Sequence, residues 1–256
     1  MIMTKKTCAW LARPSLDPEA KISLFCFPYA GGSSSIFRTW QEEFPRSIEV
    51  CPVQLPGRGS RMSEPPFKQL SQLVEALAEG LLDYMDKPFA FFGHSMGGMI
   101  SFELSRLLRR EFGRLPFHIF ISGRRAPQLP NLDPPTYNLA EAKFIEELRC
   151  LKGTPAELLE NPELMRLVLP SLRADFEVCQ TYTYSAQPPL SCPISAFGGT
   201  DDDEVRREHL EPWGEQTSAS FSLRMLSGDH FFLHSSQSLL LKNIRCEIIS
   251  TMSNLE

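Results

Sequence analysis

The chain has 256 residues, of which 42% are hydrophobic and 22% charged, and its formal net charge is −5. This length fits one α/β domain, or one domain with an insertion, and the composition is typical of globular proteins rather than disordered or membrane chains. The acidic balance argues against nucleic acid or an anionic membrane as a partner. Seven scattered cysteines without a C-x-x-C pair indicate reduced thiols rather than a zinc site or a disulfide framework.

The first residues do not have the pattern of a signal peptide. Lys5 and Lys6 are followed by a short apolar patch at residues 8–12, which Arg13 and Pro14 interrupt at once. Such a patch is too short for a signal-peptide core. No later stretch approaches the roughly 20 uninterrupted apolar residues that a membrane span needs. We therefore expect a cytoplasmic protein.

Short apolar runs alternate along the chain with segments of helical periodicity. Near-continuous apolar runs suit strands that are covered on both faces. The predicted strands are residues 22–27, 48–53, 88–92, 117–121, 193–197 and 221–226. The clearest predicted helices are residues 70–85, 96–112 and 236–249. This order predicts an α/β fold with a mostly parallel central sheet and helices on both faces.

The alternation stops at residues 127–185, where no good strand is present. Helical stretches at 140–151, 155–159 and 162–179 follow one another there, separated by Gly153 and several prolines. We interpret the segment as a helical insertion within a single domain spanning residues 1–256. Its Leu, Met and Phe content and its place in the order of elements favour a lid over an apolar substrate, although ordinary packing explains the same composition.

One serine lies between a predicted strand and a predicted helix. Gly93-His94-Ser95-Met96-Gly97 follows the strand at 88–92, and an apolar helical segment opens directly after it. Glycines on both sides allow a strained turn that projects the serine hydroxyl at the top of the sheet, beside a helix N-terminus. The pattern G-x-S-x-G alone is common by chance, but in this setting it predicts Ser95 as the nucleophile of a serine hydrolase.

A serine nucleophile needs a histidine that takes its proton and a carboxylate that orients the histidine. His230 lies after the last strand and before the final helix, where the order serine, acid, histidine of this fold class places the base. His234 is its main rival. His94 is expected to point the wrong way, His118 lies inside an apolar strand, and His209 is interpreted as an exposed helical residue.

The acid is expected in the loop after the fifth strand, which carries three consecutive aspartates at residues 201–203. Hydrolases of this fold class often have the acid at the end of a G-x-x-D frame, with a small apolar residue three positions further on. Gly199 to Asp202, followed by Val205, fits this frame and favours Asp202. Asp201 remains the alternative. The other aspartates are expected to cap a helix that begins near Glu204.

Two backbone amides are expected to bind the oxyanion that forms during acyl transfer. One is the N–H of Met96, at the start of the helix after the nucleophile. The other is expected in the glycine-rich loop at residues 28–33, where Ala30 is our choice and Tyr29 the alternative. The alternative to this catalytic role is that the loop is only a tight turn whose serines cap a helix.

Taken together, these motifs resemble the type II thioesterases that accompany polyketide and nonribosomal peptide synthetases, members of the α/β-hydrolase superfamily. The resemblance covers about residues 22–249. Its motifs are residues 25–32, 54–58, 88–98 and 120–127, extended by 153–155, 172–175, 197–202 and 230–233. One departure is Asp229, where the family commonly has glycine; this carboxylate is expected to raise the pKa of the neighbouring histidine.

The resemblance implies a free-standing hydrolase that removes acyl groups from the phosphopantetheine arm of acyl or peptidyl carrier proteins and so clears stalled or misprimed synthetases. Ser95 would take the acyl group, and water activated by His230 would release the acid. The insertion at residues 127–185 would shape acyl access and carrier docking. The resemblance implies neither a cofactor nor a metal.

The residues by themselves leave the substrate open, because the same triad serves thioesters and esters. A medium-chain thioesterase of fatty acid synthesis and a carboxylesterase or lipase are the alternative enzymes. A noncatalytic binding module is disfavoured by the intact set of Ser95, Asp202 and His230. A basic run on the helix after Ser95 is interpreted as a solvated face, with contact to an acidic carrier as the alternative: Arg106, Arg109, Arg110 and Arg114.

Overall fold

A six-stranded sheet lies at the centre of the computed structural model, which describes residues 8–12, 17–130, 134–151 and 153–253. The strands lie in the order β2-β1-β3-β4-β5-β6, and every neighbouring pair is parallel. They are β1 (Ile22–Phe27), β2 (Ile48–Pro52), β3 (Phe89–His94), β4 (His118–Ser122), β5 (Ile194–Gly199) and β6 (Phe221–Leu226). All of them except β6 are buried along their whole length, which explains their continuous apolar sequences.

Helices cover both faces of the sheet, which confirms the predicted architecture. They are α1 (Leu70–Leu81), α2 (Met96–Phe112), α3 (Glu141–Leu151), α4 (Ala156–Leu159), α5 (Pro162–Gln180), α6 (Arg207–Leu210), α7 (Phe232–Ser235) and α8 (Gln237–Ser253). Side chains of β1 alternate between two cores: Phe25 packs with α1 and α2, whereas Leu24 packs with α8. No helix of the described residues has the length and hydropathy that a membrane span needs.

The predicted strands and helices are present, and their ends differ from the prediction by a few residues. α1 ends at Leu81 because a tight 3₁₀ turn covers Leu82–Tyr84, and α8 continues to Ser253. The helix expected near Glu204 is α6, which begins three residues later at Arg207; its N-cap is Arg206, so the capping role predicted for the aspartates is wrong. Lys5, Lys6, Arg13 and Pro14, on which the N-terminal prediction depended, lie outside the described residues.

Between β4 and β5, the chain forms α3, α4 and α5, and these helices share a small core of their own. Its buried members are Phe144, Leu148, Leu159, Met165, Leu169 and Leu172. The N-terminal half of α5 leaves Leu164 and Leu167 exposed, whereas Leu172 and Asp175 further along the helix are buried. Residues 131–133 and 152 of the predicted insertion lie outside the described residues.

Candidate active site

Ser95 occupies a strained turn between β3 and α2. Its φ of 52° makes it the one non-glycine residue with positive φ in the described part of the chain, and such a conformation costs about 1–3 kcal/mol. Its N–H donates to the Ser122 carbonyl at 2.7 Å. A Cβ on Gly97 would lie 2.1 Å from the Phe27 carbonyl oxygen, so the turn packs directly on the end of β1. The backbone therefore holds Ser95 at the carboxyl edge of the sheet.

His230 and Asp202 form a buried pair in the loops after β6 and β5. His230 Nδ1 lies 2.8 Å from Asp202 Oδ2. The other carboxylate oxygen accepts the N–H groups of Glu204 at 2.8 Å and Val205 at 2.9 Å. The Asp202 side chain is 0% exposed. Both carboxylate oxygens are thus occupied, and the imidazole has a fixed partner on one side.

Electrostatics favour the charged form of both members of this pair. Burial disfavours protonation of His230, but the hydrogen bond to Asp202 and the charges of Glu204 and Asp202 raise its pKa above the usual value. Burial likewise disfavours the charged Asp202 carboxylate, yet the hydrogen bond and charge of His230 and the two backbone amides lower its pKa. His230 is therefore made a stronger base by the residue that orients it.

The pair lies close to the serine turn. His94, which precedes Ser95, has its ring centroid 5.3 Å from that of His230. A Cβ on Gly199 would lie 2.4 Å from the Asp229 carbonyl oxygen, so the ends of β5 and β6 approach each other closely. Because parallel strands end at the same sheet edge, the turn after β3 and the loops after β5 and β6 meet there.

Free backbone amides border the same edge. Met96 is the first residue of α2, where N–H groups have no partner within the helix. In the loop after β1, Gly32 N–H donates to the Tyr29 carbonyl at 2.9 Å and closes a tight turn around Ala30. The amides of Met96, Ala30 and Tyr29 have no acceptor among the hydrogen bonds of the described residues. Both predicted donors are available, and Tyr29 remains the alternative to Ala30.

Two other histidines border the site without contacting Asp202. His94 is fully buried, and its Nδ1 lies 2.9 Å from Ser122 Oγ. Burial, and the charges of His230 and His234, place the pKa of His94 well below its usual value, so it is neutral. His234 is exposed, and its Nε2 lies 3.2 Å from the Tyr29 hydroxyl.

The predicted effect of Asp229 on His230 is wrong. Asp229 accepts the Phe231 N–H at 2.9 Å. Partial burial of the His234 ring lowers the pKa of that histidine, and the charge of Asp229 opposes this effect without outweighing it. The raised pKa of His230 has other causes, namely Asp202 and Glu204.

His118 and His209 have structural contacts away from the site. His118 Nε2 lies 2.8 Å from Ser195 Oγ and 3.2 Å from Glu247, at the amino ends of β4 and β5. His209 lies on the short helix α6, is partly exposed, and its Nδ1 accepts the Arg206 N–H at 3.2 Å. The polar cluster around His118 was not found from the sequence, because its members are far apart along the chain.

An aromatic wall links the site to the insertion. The Phe231 ring centroid lies 5.1 Å from that of Tyr29 and 5.3 Å from that of His230. A Cβ on Gly153, between α3 and α4, would lie 2.5 Å from Phe231 Cζ. The insertion therefore reaches the aromatic residue that follows the candidate base. In the sequence, the residues that make this contact are visible only as two phenylalanines after His230 and as Gly153 between two predicted helices.

The basic run on α2 is largely used within the protein, and the interpretation of a solvated face is wrong for Arg106. Its side chain is 3% exposed, pairs with Glu103 at 2.7 Å and donates to the Ser185 carbonyl. Arg109 donates to the carbonyls of residues 188 and 189. Arg110, about half exposed, pairs with its neighbour Glu111. Arg106 and Arg109 thus fasten the segment after α5 to α2, whereas Arg114 donates to the carbonyls of residues 82 and 85.

A parallel sheet with helices on both faces and a serine turn between β3 and α2 defines an α/β-hydrolase. A family model of the thioesterase domain matches residues 22–248, and the chain therefore belongs to the thioesterase family. The acyl thioester hydrolase activity expected from the sequence is that of this family.

Curated relatives and solved structures from biosynthetic pathways are similar over nearly the whole chain. The gramicidin S biosynthesis protein GrsT of Aneurinibacillus migulanus is 48% identical over 228 residues, 89% of each chain. A Brevibacillus parabrevis protein named linear gramicidin dehydrogenase LgrE is 49% identical over 244 residues, 94% of this chain and 93% of that one. The structure of RedJ, a thioesterase of the prodiginine pathway of Streptomyces coelicolor, has a TM-score of 0.83 at 38% identity and covers 92% and 91% of the two chains.

Proposed function

We propose that this thioesterase releases acyl groups from the phosphopantetheine arm of carrier proteins in nonribosomal peptide or polyketide synthesis, and so edits stalled or misprimed synthetases. The observation that carries the proposal is the His230–Asp202 pair at 2.8 Å beside the Ser95 turn, in a chain of the thioesterase family. The pathways of GrsT and RedJ support the choice of carrier-bound substrates. A cytoplasmic location remains a prediction.

In the proposed acylation, Ser95 Oγ attacks the thioester carbonyl carbon. Its proton passes to His230 Nε2, because Nδ1 is held by Asp202. The amides of Met96 and Ala30 receive the negative charge that develops on the carbonyl oxygen. When the tetrahedral intermediate collapses, the carbon–sulfur bond breaks, and the pantetheine sulfur leaves with the proton from His230. An ester between the acyl group and Ser95 remains.

Deacylation repeats these steps with water as the nucleophile. His230 takes a proton from the water as its oxygen attacks the ester carbonyl carbon, and the same amides bind the oxyanion. Collapse breaks the bond to Ser95 Oγ, which recovers a proton from His230. The free acid leaves, and the protein returns to its starting state.

The insertion at residues 127–185 is proposed to act as a lid over the acyl group. Its helices have a core of their own, and Gly153 lies against Phe231, next to His230. Two exposed leucines of α5, Leu164 and Leu167, give this segment an apolar outer face as well. A lid in this position would limit the access of water and of large acyl chains to Ser95.

The test compares acetyl, medium-chain and long-chain acyl carrier proteins with the matching coenzyme A esters and with free aryl esters, using intact mass and released acid as readouts. The proposal expects the carrier-bound forms to be cleaved best. Ser95→Ala is expected to lower turnover by about 10³-fold or more.

Other outcomes would identify the alternatives. Cleavage restricted to medium-chain acyl groups on a fatty acid carrier would indicate a fatty acid thioesterase. Faster cleavage of free esters would indicate a carboxylesterase, and binding of carriers without hydrolysis would indicate a binding module.

A further inference from the structure

Helix α5 of the insertion packs directly against two glycine-rich loops at the sheet edge. Gly31, in the loop after β1, has a φ of 77°, and a Cβ there would lie 2.4 Å from Leu172 Cδ2. Gly57, in the loop after β2, has a φ of 79°, and a Cβ there would lie 3.2 Å from Ser171 Cβ. This part of α5 is therefore fixed to the backbone of the α/β core, unlike the exposed N-terminal half of the helix.

A buried ion pair joins the same elements. Arg58 Nη1 lies 2.5 Å from Asp175 Oδ2, and Nη2 lies 2.7 Å from Oδ1, so the contact is bidentate. Arg58 is 6% exposed and Asp175 3%. Such planar pairing is strong and directional, and a buried charge that loses its partner is costly. The two residues are 117 positions apart, and no motif in the sequence linked them.

Both charges also hold the loop that carries the proposed oxyanion donor. Asp175 Oδ2 accepts the Gly31 N–H at 2.7 Å. Arg58 Nη1 donates to the Gly32 carbonyl at 3.2 Å. The peptide group that follows Ala30, and the one that follows Gly32, therefore have fixed directions. With these held, rotation of the Ala30 amide away from the site is opposed.

The ion pair also neutralises the Asp175 carboxylate, which lies near the proposed oxyanion site. Asp175 contacts the residue next to Ala30, and an unpaired carboxylate there would oppose the negative charge of an oxyanion. Arg58 neutralises the carboxylate without withdrawing its hydrogen bond to Gly31. The loop thus gains an anchor on α5 without a net negative charge beside the oxyanion.

We propose that Arg58 and Asp175 form a positioning pair that holds the loop at residues 28–33 with the Ala30 amide directed at the oxyanion, and so make α5 part of the catalytic scaffold. This role rests on the proposed function above, since it requires an oxyanion at Ser95. Neither residue touches the reacting atoms, and the pair acts only through the loop.

The test uses Asp175→Asn, Arg58→Met and the double variant Arg58→Met with Asp175→Leu, which replaces the pair by apolar side chains. Hydrolysis of an acyl-pantetheine thioester and of a p-nitrophenyl ester is measured, so that no carrier protein is needed. Affinity for an alkylboronic acid, which forms a tetrahedral adduct with the serine, reports the oxyanion site separately from substrate binding.

We expect kcat of the double variant to fall by about 10- to 100-fold, part of the roughly 10²- to 10³-fold effect of deleting one oxyanion donor. KM is expected to stay within about twofold, while boronate affinity falls in parallel with kcat. Arg58→Met alone is expected to be worse than the double variant, because it leaves the Asp175 charge unpaired beside the loop.

The matched control is Glu103→Gln, which removes the charge from a partly buried pair, Glu103 with Arg106 on α2. Its kcat and boronate affinity are expected to match the wild type. A folded double variant with wild-type kcat and boronate affinity would overturn the positioning role and leave the proposed function intact. Failure of the wild-type protein to cleave both of these substrates and acyl carrier proteins as well would instead contradict the proposed function, and the pair's role with it.

Discussion

At the residue scale, the contact between His230 and Asp202 sets the conditions for catalysis. A base must be neutral before it takes the serine proton, and Asp202 keeps the His230 proton on Nδ1, so that Nε2 is free to act. Burial of the imidazole lowers the pKa of His230, but the same contact with Asp202 opposes this effect, and the pKa lies above its usual value. The pH dependence of hydrolysis therefore reports on this pair directly.

We predict that kcat/KM rises with pH, with a midpoint above the ordinary histidine value of 6.5. Asp202→Asn is expected to move the midpoint down, because the carboxylate that favours the protonated ring is gone. The same change should lower kcat by on the order of 10³- to 10⁴-fold, because the His230 tautomer with its proton on Nδ1 is no longer favoured. A pH–rate profile of both proteins measures these effects.

Asp201→Asn is the matched control, because the exposed Asp201 side chain contacts its neighbour Thr200 and lies one position away. Its profile is expected to coincide with that of the wild type. A larger loss of kcat in Asp201→Asn than in Asp202→Asn would identify Asp201 as the acid instead.

At the element scale, a polar cluster fastens α8 to the amino ends of the strands, opposite the candidate site. Glu247 of α8 accepts from the Ser195 hydroxyl and from Arg224, and lies 3.2 Å from His118 Nε2. Burial opposes its charge, but these partners lower its pKa to about 2. The ionised carboxylate thus stabilises the folded state.

The sign of the resulting pH effect follows from the lowered pKa. The contribution of Glu247 to the free energy of unfolding is complete above the usual glutamate value of 4.5 and is lost as the pH falls towards about 2. We expect Glu247→Gln to remove on the order of 2–3 kcal/mol at neutral pH and to flatten the decline in stability below pH 4.5. Urea denaturation at a series of pH values measures both.

Glu111→Gln is the control for this change, because the Glu111 pair with Arg110 is about half exposed, and exposed pairs contribute little. Its unfolding curves are expected to stay close to those of the wild type. If the free energy of unfolding of Glu247→Gln fell below pH 4.5 as steeply as that of the wild type, the cluster would not stabilise α8 in this way.

At the scale of the whole molecule, the sequence predicted the sheet, the loops of the site and a carboxylate that orients His230, but not the other contacts between distant side chains. Buried parallel strands have continuous apolar runs, and Gly93 and Gly97 mark the serine turn, so these features are local. The choice between Asp201 and Asp202 is not local, because it depends on which of two neighbours the turn directs inward. Asp202 also binds the amides at the point where a helix was expected.

The pairing of distant charges lay beyond the sequence for the same reason. Arg58 meets Asp175, and Arg106 meets the Ser185 carbonyl, only because α5 and the segment after it fold back over the core. Periodicity shows which face of a helix is apolar, but it does not identify the partner of a buried charge. These contacts required the three-dimensional structure.

An acyl group on Ser95 is detected by stopping turnover of an acyl-pantetheine substrate and locating the acyl group by peptide mass spectrometry. We expect an adduct on the peptide that contains Ser95, and we expect Ser95→Ala to lose both this adduct and turnover. An adduct on another residue, or undiminished hydrolysis by Ser95→Ala, would contradict this role of Ser95.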